Sequence, residues 1–323
     1  MRNLLYFSLT ALALGASACS KDRDEDKAPT RFEIKQETYA LPGNQLFPEG
    51  IAYNPGKGIF YVGSTTNGDV VQVNVETGAA STFAAGAAQN RLDCRGLKTD
   101  ARNRLWIAGG AENKIHVLNP DGALLKTWDT KALFNSGFIN DCALDANYVY
   151  FTDSRVQKVY RAAVSADAPG EIEEWLAFTD QQLPYGAGFN ANGIALTADG
   201  RYLLMVISNT GKVFRIDRSS KAIAEITLDQ PVTAGDGLWL TGTKLFVSRN
   251  STGQIFPVQL NDAFTQGTVG SGFGSNLKFN TTIARADNYF LVVNSQLNLR
   301  PSGTTPPPAA PTLPFTVSRV TIP

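Results

Sequence analysis

The chain has 323 residues, of which 43% are hydrophobic and 18% are charged, and its 29 basic residues balance its 29 acidic ones. This composition is ordinary for a soluble globular protein that buries a large core. The balanced charge gives no indication of binding to nucleic acid or to an anionic surface, so we expect neither as a partner.

The first residues have the layout of a secretory signal peptide. A basic residue, Arg2, precedes an apolar stretch at 4–14, and small residues follow it up to Cys19. The apolar stretch is too short to span a membrane. We therefore predict that residues 1–18 are a signal peptide that is removed on export.

The sequence ASAC at 16–19 resembles a bacterial lipobox, in which the cysteine is lipidated and becomes the mature N-terminus. Residues 19–30 would then form a lipidated Cys19 and a charged, solvated tether, because they lack apolar groups for packing. We expect an exported cell-envelope lipoprotein that faces the periplasm or lies on an outer surface, with the lipid as its only membrane contact. Cleavage near Ala18 without lipidation is the alternative.

The remaining residues, 31–323, contain six copies of one unit. In each unit a short apolar run is followed by a turn rich in Asn, Asp and Gly, and then by aromatic or β-branched strands. Successive units are separated by 46, 46, 51, 44 and 46 residues. The aligned third positions of the units are Gly50, Gly96, Cys142, Gly193, Gly237 and Ile283.

Three or four strands in each unit, with no convincing amphipathic helix, predict an all-β protein with the fold of a six-bladed β-propeller. A propeller must close, because an open sheet edge invites pairing with other chains. The last unit has a late strand at 315–322, and residues 31–40 can supply its outer strand. We therefore expect closure by pairing of the N- and C-terminal strands. We also expect a monomer.

The innermost strands of a propeller surround a central channel, so the residues that open them should meet at one mouth. The position before each aligned residue is polar in every unit: Glu49, Arg95, Asp141, Asn192, Asp236 and Thr282. Asn140 adds a further amide. Such an oxygen-rich cluster suits a hard divalent cation. Asp and Asn before Gly are also common turn formers, so a polar ring without a metal is the alternative.

Histidine and cysteine give little support for a zinc site. The sole histidine, His116, belongs to an outer strand, where we expect a half-buried structural role. Cys94 and Cys142 lack the CxxC spacing of zinc ligands. In an exported protein they form either a disulfide or two buried thiols.

The inner-strand motifs resemble the gluconolactonase and regucalcin (senescence marker protein), or LRE-like, family of six-bladed propellers, over nearly all of residues 31–323. The resemblance implies a metal held by a Glu before the first inner strand, an Asn in an NG motif and an Asp in a DG motif. These match Glu49, Asn192 and Asp236. The family's ND motif, whose Asn contacts the substrate, matches Asn140 and Asp141.

The chain departs from the family pattern around Asn140. Cys142 replaces the Gly of the family's NDG motif, and Phe138 replaces an Arg that is common in sugar-lactone enzymes. Loss of that cationic contact favours a less polar lactone or ester over a sugar acid lactone. Arg95 could supply a positive charge from the neighbouring blade.

The resulting hypothesis is a metal-dependent hydrolase of a lactone or related ester, with a small-molecule substrate. Calcium is the expected metal, with magnesium, manganese and zinc as alternatives. Asp236 or Asp141 would act as the catalytic base, and Asn140, Arg95 and Phe138 would contact the substrate. The absence of a G-x-S-x-G motif disfavours a serine hydrolase. The competing hypothesis is a non-catalytic, lipid-anchored propeller that binds a ligand or a protein.

Overall fold

The structure is a computed structural model that describes residues 32–132, 136–164, 167–301 and 306–323. The predicted signal peptide, the lipidation site Cys19 and the tether lie outside the described residues. Regular structure within the described ranges is almost entirely β, and the helices there are single 3₁₀ turns. None of these helices has the length and apolar character needed to cross a membrane.

The chain forms strands from one end of the described region to the other. The first twelve are β1 (Thr38–Ala40), β2 (Pro48–Asn54), β3 (Ile59–Ser64), β4 (Val70–Asn74), β5 (Ala80–Ala84), β6 (Leu97–Thr99), β7 (Leu105–Ala108), β8 (Lys114–Leu118), β9 (Leu124–Asp129), β10 (Ile139–Leu144), β11 (Tyr148–Asp153) and β12 (Lys158–Ala163). The next twelve are β13 (Ile172–Ala177), β14 (Ala191–Leu196), β15 (Tyr202–Ile207), β16 (Lys212–Asp217), β17 (Ile223–Leu228), β18 (Gly235–Thr241), β19 (Lys244–Arg249), β20 (Gln254–Leu260), β21 (Gln266–Val269), β22 (Asn280–Ala286), β23 (Tyr289–Asn294) and β24 (Thr316–Thr321). The 3₁₀ turns are Ala87–Gln89, Thr130–Ala132, Asn250–Thr252 and Leu297–Leu299.

Four sheets have four strands each, in the orders β2-β3-β4-β5, β6-β7-β8-β9, β10-β11-β12-β13 and β1-β24-β23-β22. The strands from β14 to β21 form one eight-stranded sheet. Its two antiparallel halves, β14 to β17 and β18 to β21, are joined only where β17 and β21 run parallel, at Thr227↔Gln266 and Leu228↔Gly267. The chain is thus an all-β propeller, but its sheets are not six separate ones as expected, because two outer strands meet.

The N-terminal strand pairs with the C-terminal strand, as the sequence predicts. β1 runs antiparallel to β24, with Thr38 opposite Ser318 and Ala40 opposite Thr316. Tyr39 is buried, and its hydroxyl donates a hydrogen bond of 2.7 Å to the Val75 carbonyl in the first sheet. The first strand therefore contacts both the last sheet and the first.

The innermost strands share a β-bulge at one position. The pairing register shifts between Pro48 and Ile51, Ile139 and Cys142, Ala191 and Ile194, Gly235 and Leu238, and Asn280 and Ile283. In the second sheet the same arrangement occurs before β6, because the Arg95 N–H donates to the Ala108 carbonyl and the Ala108 N–H donates to Gly96. Each bulge leaves two residues opposite one, which re-aims their side chains.

The bulges correct the sequence alignment in two units. The first bulge residues are Glu49, Arg95, Asn140, Asn192, Asp236 and Thr281. Asn140, rather than Asp141, is therefore the structural equivalent of Glu49, and Thr281 replaces Thr282. The sequence alignment was wrong there because it aligned apolar runs and turns, which do not reveal where the extra residue of a bulge lies.

The second bulge residue is glycine in four of the six units, because neighbouring inner strands nearly touch there. A Cβ added to Gly50 would lie 2.0 Å from the Arg95 carbonyl oxygen, and one added to Gly193 would lie 2.0 Å from that of Asp236. No side chain fits at such a distance. This close approach brings the first bulge residues of neighbouring blades together around the axis.

Apolar side chains fill the space between neighbouring sheets. One buried cluster joins Trp106 of β7 to Phe151 of β11, and another joins Tyr150 of β11 to Met205 of β15. Trp106 stacks on Trp128 with ring centroids 5.8 Å apart. These contacts between sheets hold the inner strands, and so the bulges, in fixed positions.

His116 and the two cysteines belong to this buried interior. His116 is more deeply buried than expected, and its Nδ1 lies 2.9 Å from the Thr127 hydroxyl. Burial lowers the pKa of His116 to about 3, so the ring is neutral. Cys94 and Cys142 are both buried as free thiols, and burial raises the pKa of Cys94 to about 12. The structure therefore has two free thiols at these positions rather than a disulfide.

Candidate metal centre and cavity

A cavity of about 380 Å³ lies where the first bulge residues converge. Six of the predicted site residues line it: Glu49, Asn192, Asp236, Asn140, Arg95 and Phe138. The lining residues that the sequence analysis did not single out are Ala187, Gly188, Phe189, Ser208, Asn209, Ala234, Asn250, Phe279, Leu297 and Asn298. Asp141, predicted as a catalytic candidate, is not among the residues that line it.

The three predicted metal ligands are nearly inaccessible to solvent, with exposed fractions of 3% for Glu49, 6% for Asn192 and 4% for Asp236. Each has one buried oxygen without a hydrogen-bond partner in the described structure, namely Glu49 Oε2, Asn192 Oδ1 and Asp236 Oδ1. A fourth lining residue, Asn209, also has an unsatisfied oxygen, Oδ1. Buried polar atoms are normally satisfied, so unsatisfied oxygens on all three predicted ligands need a common explanation.

A hard cation would satisfy all three oxygens, so these residues fit a calcium-type ion. The donor set is two carboxylates and one amide. Among the described residues, no group of three or more His, Cys, Asp or Glu side chains could hold a metal ion. Any cation here would therefore depend on the Asn192 amide as its third protein ligand.

Ser208 fixes the orientation of the Asn192 amide. The Ser208 hydroxyl donates its hydrogen to the Gly235 carbonyl, so its oxygen must act as the acceptor toward Asn192 Nδ2, 3.0 Å away. An amide that donates from its nitrogen on this side presents its oxygen on the other. The network therefore dictates that Asn192 Oδ1 faces the cavity, without any choice of amide flip.

Ser154 holds Asn140 in the same way one blade earlier. Its hydroxyl donates to the Ala191 carbonyl and accepts a hydrogen bond of 2.7 Å from Asn140 Nδ2. Ser154 and Ser208 occupy equivalent places. In each blade the first residue of the inner strand pairs with a residue of the second strand, Asp153 or Ile207, and the serine directly follows that residue. A repeated serine at that position is the sequence signal that could have predicted both contacts.

Asn250 occupies the equivalent place in the next unit and holds Asp236. Its Nδ2 donates a hydrogen bond of 3.1 Å to Asp236 Oδ2. The second carboxylate oxygen, Oδ1, is the one left without a partner. The sequence analysis missed Asn250 because it stands after a strand that resembles any other blade strand.

Asp141 is buried behind the cavity. As the second bulge residue it occupies the place that glycine has in four other units, and its Oδ1 accepts a hydrogen bond of 2.8 Å from the Cys142 N–H. Asp141 Oδ1 would lie only 2.4 Å from a Cβ on Gly96, so its carboxylate is directed at the neighbouring inner strand. Asp141 therefore affects the cavity through its charge but does not line its wall.

The cavity carboxyl groups have strongly raised pKa values. Burial and then the charge of Asp141 raise the pKa of Asp236 to about 7. Burial and then the charge of Asp236 raise the pKa of Glu49 well above its usual range. Each of these two buried acids disfavours ionisation of the other, so the site either binds a cation or retains a proton.

Arg95 and Phe138 lie together on one side of the cavity. Arg95 Nε is 2.8 Å from Asp93 Oδ1, and its guanidinium carbon lies 5.1 Å from the Phe138 ring centre. Arg155 approaches the same ring at 5.3 Å. Phe138 is thus flanked by two guanidinium groups.

Solved structures with the same fold have low sequence identity to this chain. The major Malassezia sympodialis allergen Mala s 1 aligns with a TM-score of 0.64 at 10% identity, covering 88% of this chain and 96% of the allergen. Virginiamycin B lyase from Staphylococcus aureus aligns with a TM-score of 0.58 at 14% identity, covering 88% and 98%. A Lactobacillus plantarum protein aligns with a TM-score of 0.56 at 18% identity, covering 78% of each chain. No curated protein matches the sequence.

The family comparison agrees with the inner-strand motifs. The family described as "SMP-30/Gluconolactonase/LRE-like region" matches residues 11–138, a stretch that includes Glu49, Arg95 and Phe138. Over these residues the chain is similar to the SMP-30/gluconolactonase/LRE-like family, which confirms the resemblance that its motifs predict.

Proposed function

We propose that the protein is a metal-dependent hydrolase of a lactone or related ester, built on a propeller of six blades in which the eight-stranded sheet counts as two. The observation that carries this proposal is the set of three buried, unsatisfied oxygens on Glu49, Asn192 and Asp236 around one cavity. The match to the SMP-30/gluconolactonase/LRE-like family supports it, because that family includes lactone hydrolases.

Glu49, Asn192 and Asp236 would hold a divalent cation, which we propose to be calcium. Magnesium and manganese take similar oxygen ligands, whereas zinc is disfavoured because no histidine or cysteine lines the cavity described above. When bound, the cation would polarise the substrate carbonyl and stabilise the negative charge that develops on its oxygen.

Asp236 is the base that this geometry supports, rather than Asp141, because it lines the cavity. In the proposed reaction the water oxygen forms a bond to the carbonyl carbon, and its proton moves to Asp236 Oδ2, the carboxylate oxygen that the cation would not hold. The acyl carbon–oxygen bond then breaks, and the proton passes to the leaving oxygen, which yields a hydroxy acid. Asn250 keeps the carboxylate oriented, and buried Asp141 keeps its proton affinity high.

Asn140 and Arg95 would bind the polar end of the substrate. Asn140 is fixed by Ser154, so its remaining amide groups have a defined direction. Arg95 carries a positive charge at the side of the cavity and is held there by Asp93. Phe138 excludes water from that side, which strengthens the electrostatic interactions of the neighbouring charges.

A lyase activity like that of the S. aureus structural neighbour is less well supported. In that enzyme a variant with alanine in place of one histidine is catalytically inactive. The single histidine here, His116, is buried within a sheet and is not among the residues lining the cavity. A reaction that depends on histidine therefore has no candidate residue in this cavity.

Replacing Asp236 with asparagine should remove the proposed base and the negative charge of a proposed calcium ligand while keeping the size of the side chain. We expect kcat/KM for lactone hydrolysis to fall by about 10²- to 10⁴-fold. Calcium should also no longer raise the melting temperature. Asp121→Asn, in an exposed turn, is the matched control.

Full activity of the Asp236→Asn variant would rule out this mechanism. Calcium binding by the wild-type protein without hydrolysis of any lactone or ester would instead favour the non-catalytic binding module.

Replacing Ser208 with alanine should free the Asn192 amide to rotate. We expect calcium affinity, measured by titration calorimetry, to fall by about 10- to 100-fold, as for other residues that orient a metal ligand. Ser154→Ala is the matched control, because it releases Asn140 instead and should raise KM while leaving calcium affinity near the wild-type value. Equal loss of affinity in both variants would indicate general disruption and contradict the positioning role.

The raised pKa values predict how stability depends on pH. In the metal-free protein the folded state keeps its proton on Asp236 up to about pH 7, whereas the unfolded chain loses it near the ordinary aspartate pKa. Stability contributed by this group is therefore present below about pH 4 and is lost as the pH rises to 7. Calcium must displace these protons, so it should raise the melting temperature more at pH 8 than at pH 5.

Differential scanning calorimetry with calcium and with a chelator measures both effects. The Asp236→Asn variant should lose most of this pH dependence. A calcium effect of the same size at both pH values would contradict the assignment of Asp236 as a ligand.

We also propose that the protein is exported and anchored to the cell envelope through a lipid on Cys19, which the lipobox-like sequence supports. Cys19→Ser should move the protein from the membrane fraction to the soluble fraction and abolish labelling with a fatty-acid probe. A wild-type mature N-terminus without an acyl group, by mass spectrometry, would contradict lipidation.

A further inference from the structure

The cavity has a polar floor and an apolar upper wall. The floor consists of the first bulge residues, such as Asn140 and Asp236. Two residues before these bulge residues, just outside the strands, stand Phe138 and Ala234, and both also line the cavity. Phe279 has the equivalent position in the last unit and also lines the cavity. The wall above the metal ligands is therefore built mainly from carbon.

Phe189 completes this wall at the cavity mouth. Its side chain is 45% exposed, although its ring lies 4.9 Å from that of Phe138 in an edge-to-face contact. The loop that carries it is held by Asn190, whose Oδ1 accepts a hydrogen bond of 2.7 Å from the Gly186 N–H and whose Nδ2 donates to the Gly188 carbonyl. Phe189 is thus held in place with an uncovered apolar face at the entrance.

Two further features hold the aromatic rings of this wall in place. Phe279 has a φ of 49°, a backbone conformation that bulky residues adopt only when the surrounding structure imposes it. Phe138 is flanked by Arg95 and Arg155, so its ring has little room to move aside for a polar group. Leu297 extends the apolar surface on the last unit's side.

We propose that the substrate is a lactone or ester with an alkyl or aryl substituent, which packs on Phe138, Phe189, Phe279 and Leu297 while its carbonyl group reaches the polar floor. This inference rests on the proposed hydrolase function and adds the substrate class. A polyhydroxylated lactone would bury its hydroxyl groups against this wall without hydrogen-bond partners, which is unfavourable.

The test compares γ-lactones whose substituent lengthens from methyl, in γ-valerolactone, to octyl, in γ-dodecalactone, with glucono-δ-lactone as the polar substrate. With the full-length protein and calcium, we expect kcat/KM to rise by about fourfold for each methylene that the wall buries. In Phe189→Ala the ratio of kcat/KM for γ-dodecalactone to that for γ-valerolactone should fall at least tenfold. Leu125→Ala, which removes an equally exposed apolar side chain from β9, should leave the ratio unchanged.

The outcomes separate this inference from the proposed function. Hydrolysis that does not depend on substituent length, or that prefers glucono-δ-lactone, would overturn the substrate class and leave the hydrolase in place. If no lactone is hydrolysed, the hydrolase proposal fails, and titration calorimetry with γ-dodecalactone then tests the wall alone. Weaker binding by Phe189→Ala than by Leu125→Ala would support the apolar site, and equal binding by both would overturn it.

Discussion

The candidate site depends on the contact between neighbouring inner strands at their bulges. Glycine at the second bulge position lets one strand approach the carbonyl oxygen of the next so closely that no side chain would fit. The preceding residue of each strand is then directed at the axis. Residues far apart in the chain, Glu49 and Asp236 among them, meet in one cavity because this contact recurs around the ring.

The electrostatic character of the cavity follows from the same packing. Inner strands that approach so closely leave little water near the axis, so carboxylates there are desolvated and hold their protons unusually tightly. Serine and asparagine side chains from the adjacent strands then orient the amides and the acid by hydrogen bonds. The result is a set of acceptors without partners in the described structure, which a cation or retained protons would satisfy.

Repetition made most of the cavity predictable from the sequence. Six-fold recurrence of an apolar run and a turn located Glu49, Asn192 and Asp236, because equivalent residues of a propeller converge. The repeat aligned Asp141 wrongly, because hydropathy does not show where a bulge inserts its extra residue. Either Asn140 or Asp141 could therefore be aligned with Glu49. Asn250 and Phe189 could not be foreseen, since their positions depend on a 3₁₀ turn and on a loop held by Asn190. The pairing of β17 with β21, which joins two sheets, likewise could not be predicted, because it depends on the three-dimensional path of the outer strands.

The pairing of β1 with β24 has a consequence for biosynthesis. The first strand of the ring has its hydrogen-bonded partner at Ser318 and its neighbours, residues that the ribosome adds long after β1. Such a long-range contact has a large cost in loop-closure entropy, so it forms late in folding. Earlier sheets can form as the chain emerges, but the sheet that completes the circle waits for the residues of β24. Removal of either β1 or β24 therefore removes one partner of the same closing contact.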